Sequence, residues 1–199
     1  MNNEPEVIEI VFFGPYNLHN GKAALQLGEK LQAKGKKFSF RPFSKLKEVA
    51  CYVKGFSRSF GLISYYDDCK GIMTNGVDLI YEHNLFIRSV ERLNFDLPTK
   101  SQMMPSFKDF FIVSSELIQK IPKDPGEGWK TLVVAEKLGG KLFHFPDAID
   151  IPPYSNLKIN RNRIYLEING HFSTIGDKLR GFHEFFTTTK ILGSYEIPG

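Results

Sequence analysis

Cysteine is scarce. The 199-residue chain has two, Cys51 and Cys69; two thiols make no disulfide framework, and their spacing matches no metal motif. Both read as idle or buried small apolar groups. No apolar run approaches the roughly 20 residues that cross a bilayer. The opening MNNEPEVIEI lacks the basic and apolar stretches of a secretory signal, so a cytoplasmic address is expected. A strong charge of one sign is also missing. The net +4 does not call for nucleic acid, and none is expected as a partner; it suits phosphate-bearing ligands and permits peripheral contact with an anionic membrane surface. Repeats and low-complexity segments are absent. Phenylalanine is abundant at 18 residues, which predicts an aromatic-rich core.

Strand and helix signals alternate along the chain. VIEIVFF at 7–13 is β-branched and aromatic, as a buried strand would be. Gly14-Pro15 ends it, and the loop YNLHNG follows. Asn20 is the expected N-cap of a helix reaching Lys34, with Ala24, Leu27 and Leu31 on one face. Gly35 stands at its expected end, and KKFSFRPF reads as a second strand. Such a β-loop-α-β unit builds parallel sheets with a right-handed crossover. Further on, helices are expected near 45–54, 62–73 and 84–93, then at 116–121, Trp129–Leu138 and 176–190. Strands are expected at 77–83, 109–115, 141–145 and 162–169, with a loop at 96–106. The fold class that follows is α/β, a Rossmann-like, mainly parallel sheet flanked by helices. The proline-rich stretch near 146–160 is the candidate boundary, giving a domain at 1–150 and a smaller lobe at 151–199.

Chemistry is sought where strands of an open α/β sheet end. The loop GPYNLHNGK would place Gly14, His19, Asn20, Gly21 and Lys22 against a ligand, with backbone N–H groups of the helix aimed at an anion. A plain turn explains the glycines equally well. The loop is not a P-loop: six residues separate Gly14 from Gly21, and Ala23 stands where a metal-binding hydroxyl belongs. A dinucleotide fingerprint is missing too. Glu82 and His83, at the end of the expected strand DLIYEH, form a candidate acid–base pair with His83 as the proton carrier; the bland alternative is a satisfied surface histidine. Asp67 and Asp68, expected on a helix, point about 100° apart and read as solvated rather than metal-binding. His144 reads as structural. Gly170, His171, Lys178 and Arg180 form a basic turn that would suit an anion or simply face solvent. Neither a metal nor a cofactor is expected.

Taken in order, IVFFGPYNLHNGKAALQLGEKLQAKGKK, VDLIYEHN, KDFFIVSSELIQKI, KLFHFPDAIDIPPY and RNRIYLEINGHFSTIGDKLRGFHEFF resemble segments of the family 4 glycosyltransferases, which carry two Rossmann-like domains. The resemblance implies an acceptor-side domain followed by an incomplete second lobe. It implies sugar transfer from a nucleotide sugar to a glycan or lipid acceptor, as in polysaccharide biosynthesis, with a second subunit or lobe completing the donor site. On that reading Gly14, Asn20 and Gly21 line the first loop, His83 matches the acceptor-side histidine, and Gly170 and Lys178 match a phosphate loop. The family's late pair of glutamates would lie past residue 199, and Asp147-Ala148 stands where Asn-Gly is usual. Two alternatives remain open: a degenerate P-loop nucleoside monophosphate kinase and a non-catalytic Rossmann-type binding module.

Overall fold

The computed structural model describes residues 7–98, 103–116, 128–137, 154–171 and 185–197. Chain contacts divide it into two compact units, the first covering 1–117 and the second 118–197.

The first unit opens as its hydrophobic pattern dictates. Strand β1 (Val7–Phe13), helix α1 (His19–Ala33) and strand β2 (Lys37–Phe43) follow one another. β1 pairs in parallel with β2, and also with strand β3 (Ser59–Asp67), which follows helix α2 (Leu46–Gly55). Alternate residues of β1 and β3 face opposite sides. Ile10, Phe12 and Leu62 form one core with Ala23, Ala24 and Leu27 of α1. On the other side, Gly61 lies against Val49 and Val53 of α2.

Beyond β3 the architecture departs from the sequence reading. Residues 62–67 belong to a strand rather than a helix; in β3, buried and half-buried positions largely alternate, the period of a pleated strand. A short strand β4 (Gly71–Ile72) folds back on β3. The expected strand at 77–83 is instead helix α3 (Thr74–Glu82), which buries Gly76, Val77 and Ile80, the last two three apart on one helical face. The stretch 84–93 is not helical and 96–106 is not simply a loop. They contribute to two long antiparallel strands, β5 (Phe86–Pro98) and β6 (Met103–Ser114). β6 also pairs antiparallel with β3, giving the order β2-β1-β3-β6-β5 with β4 to one side. The sheet is therefore mixed.

The second unit contains a four-stranded antiparallel sheet. Strands β7 (Trp129–Glu136), β8 (Tyr154–Asn160), β9 (Arg163–Asn169) and β10 (Thr188–Glu196) lie in the order β10-β7-β9-β8. The expected helix at Trp129–Leu138 is thus a strand through Glu136. Leu132, Val133, Val134 and Ala135 are all buried, and a run apolar on both faces suits a central strand rather than an amphipathic helix. Residues 188–190 are strand as well; 116–121 beyond Glu116, 141–145 and 176–184 lie outside the described residues. Among the described residues strands dominate, the sheets are mixed and antiparallel, and the helices are few. The fold is not a Rossmann-like sheet flanked by helices.

Candidate functional site

Strand β1 delivers the chain to its carboxyl end, where Gly14 adopts φ +89°, a left-handed conformation that glycine takes without steric cost. The Gly14 N–H donates to the Phe43 carbonyl. The next turn carries the chain into α1, whose N-cap is Leu18, not Asn20. A leucine side chain cannot accept from the first-turn N–H groups, which are left oriented toward the helix entrance. Asn20 instead turns back and donates from Nδ2 to the Phe13 carbonyl at 2.9 Å, fastening the helix to the strand. Gly21 does not open the backbone to a ligand. A Cβ there would meet the Tyr16 Cα at 2.4 Å, so the chain itself occupies that space.

Asn17, Leu18, His19, Asn20 and Lys22 line a cleft of about 260 Å³, closed on one side by Lys108 of β6. The His19 ring stacks on Phe95 of β5, with centroids 4.3 Å apart. Burial, then the charges of Lys108 and Lys22, hold the His19 imidazole below its ordinary value against an opposing pull from Asp67. The shift favours the neutral ring. Lys108 Nζ lies 3.3 Å from buried Asp67 and 5.9 Å from the Phe95 ring centre. Phe95 also borders a neighbouring cavity of about 400 Å³ with Asp68 and Ser106.

The two carboxylates at the end of β3 are engaged by the hairpin rather than solvated on a helix. Asp67 pairs with Lys108 and accepts from the Cys69 N–H at 3.0 Å. Asp68 accepts from Ser106 Oγ at 2.7 Å and the Phe107 N–H at 3.2 Å. The Ser106 bond is the main reason its carboxyl sits below the usual range.

Glu82 and His83 do not join this cleft's lining. Glu82 is the exposed last residue of α3, and His83 is its C-cap, donating its N–H to the Leu79 carbonyl. Gly76 of α3 lies against Ile63, which shares its side of β3 with Gly61. α3 thus packs on the α2 face of the sheet, opposite α1. Gly170, in the second unit, follows β9 with φ +111° and accepts from Thr131 Oγ1 at 2.8 Å. His171 packs edge-on to Trp129. Lys178 lies outside the described residues. The partners that sequence reasoning missed are Phe95 and Lys108: Phe95 lies just past the stretch read as helix, and neighbouring strands alone bring both to His19.

No family model and no curated protein matches the chain. Among solved structures, it is similar to GqqA, described as a novel type of quorum quenching acylase, at 16% identity and TM-score 0.60, covering 96% of this chain and 95% of that one. It is also similar to the prephenate dehydratase of Staphylococcus aureus subsp. aureus Mu50, at 12% identity and TM-score 0.63, covering 95% and 100%. The prephenate dehydratase of Streptococcus mutans matches at 14% identity and TM-score 0.57, covering 96% and 100%. These likenesses establish a shared fold. They overturn the glycosyltransferase resemblance, with the sugar-transfer activity and Rossmann architecture it implied. Short strand-loop-helix segments recur in unrelated folds, and their order alone misled.

Proposed function

We propose that the first unit binds a small carboxylate anion at the amino end of α1, and that the His19 imidazole exchanges a proton with that ligand. The observation that carries the reading is the convergence of Lys22, Lys108 and the uncapped first turn of α1 on one cleft beside a histidine whose neutral form is favoured. A helix amino end and two ammonium groups favour an anion. A neutral imidazole beside the bound group is suited to accept a proton near neutral pH. The shared fold adds support, since prephenate, named in two of the similar proteins, is itself a carboxylate. An acyl-transfer reading would need a nucleophile on His19. Among the described residues, the ring stacks on Phe95.

The test is an amide-shift titration of the full chain with prephenate, simple aromatic carboxylates and their methyl esters. The acids are expected to shift His19, Asn20, Gly21, Lys22 and Lys108, and the esters are not. Lys108→Ala is expected to weaken binding about tenfold or more, the scale of a lost charge-assisted hydrogen bond. Equal binding of acid and ester, or shifts clustered elsewhere, would refute the reading.

A further inference from the structure

The mild net charge of the chain hides its distribution. Residues 30–58 hold nine lysines and arginines against one carboxylate, Glu48, a net +8 inside a chain that totals +4. Topology gathers part of this charge at one end of the first sheet. β1, β2 and β3 run parallel, with Val7 opposite Lys37 and Glu9 opposite Ser59. Their amino ends therefore lie together, and the helices connecting them finish there. Lys34, Lys36, Lys37, Lys54 and Arg58 share this end, and all are exposed. It is the end opposite the His19 cleft, which lies past the carboxyl end of β1.

Helix carboxyl ends favour cations, which accounts for Lys34 at the end of α1 and Lys54 in the last turn of α2. It does not account for Lys36 or Lys37. Among the described residues, no carboxylate pairs with Lys34, Lys36, Lys37 or Lys54. An aromatic stack closes the helix that carries Lys54. Phe56, 54% exposed, lies nearly parallel to Tyr52 with centroids 4.3 Å apart. The Arg41 guanidinium sits 4.9 Å from the Tyr52 ring centre, its charge paired with Glu9 at 2.7 Å, so the unpaired charge near the stack is that of Lys54.

We propose that this end of the first unit is a docking surface for single-stranded nucleic acid, the lysines meeting phosphates and a base stacking on Phe56. Cations beside a stacked, solvent-facing aromatic match the two things a single strand presents, a charged backbone and bare π-faces. A duplex hides those faces. An anionic bilayer would use the charge but gain little from a ring already laid flat on its neighbour.

Fluorescence anisotropy of the full chain with labelled 12-nucleotide oligouridylate and oligothymidylate tests this, beside a matched duplex, inorganic polyphosphate and phosphatidylserine vesicles. Single strands are expected to bind at low salt and to weaken as salt rises. Lys37→Ala and Lys54→Ala should each flatten the log–log salt slope by about 0.7. Phe56→Ala should weaken binding about tenfold with the slope unchanged, the scale of one lost stack, while Phe56→Trp retains it; circular dichroism establishes that each variant is folded. No binding of single strands at low salt would overturn the proposal. So would vesicle binding in its place, or polyphosphate competing as well as oligonucleotide while Phe56→Ala binds normally.

Discussion

At the scale of single residues, chemistry and packing trade places in the first loop. Gly21 looked like a ligand approach and is a packing contact with the Tyr16 backbone. Asn20 looked like a cap and is a strand-to-helix tie. His19, expected among the loop residues that meet a ligand, carries the electrostatics of the cleft. Its folded value lies below its ordinary one, mainly through burial. Folding therefore disfavours its protonation, and the stability it contributes is present above the ordinary value of 6.5 and lost as pH falls below it. A bound anion acts in the opposite sense and favours the imidazolium. Carboxylate binding is accordingly expected to take up a proton and to tighten as pH falls through the region below 6.5, and His19→Gln should abolish that dependence. Calorimetry in buffers of different ionisation enthalpy measures the proton uptake; equal pH profiles for both proteins would contradict it.

At the scale of elements, the long β5–β6 hairpin decides how the site is assembled. Arg92 and Asp109 sit opposite each other in its register and make a two-point ion pair, Nε to Oδ1 at 2.7 Å and Nη2 to Oδ2 at 2.9 Å. The Asp109 side chain is 4% exposed, and Arg92 also lies over Phe107. Removing the guanidinium would strand a buried carboxylate, so Arg92→Met is expected to cost about 3 kcal/mol in urea unfolding. A cost near zero would show that the hairpin does not depend on the pair. On the face toward α1, buried Glu91 accepts from Gln26 and from Lys30, the latter at 2.6 Å. The hairpin and the first helix are thereby held together, which fixes Phe95 under His19. None of this was legible locally. VERL falls in the stretch read as helix, and only the facing strand FKDFFIV makes it a strand and sets its register. The segment VDLIYEH erred in the other direction, being β-rich in composition yet buried at Val77 and Ile80 with helical spacing.

At the scale of the molecule, each described core is confined to one unit. Residues 10–112 supply the core between α1 and the first sheet, and residues 133–186 supply the core of the second. A fragment of residues 1–117 is therefore expected to give a dispersed amide spectrum and a single cooperative unfolding transition; a collapsed spectrum would show that its core needs the rest of the chain. The sequence by itself determined the opening β1-α1-β2 unit and the strands at 109–114 and 163–169, because each is a short-range hydrophobic period that its own residues enforce. Only the tertiary structure decided that β6 runs antiparallel beside β3, that Glu82 and His83 close a helix on the far face, and that Phe95 and Lys108 complete the cleft at His19. Those outcomes depend on pairing between segments tens of residues apart, and a period read along the chain carries no record of which strand lies beside it.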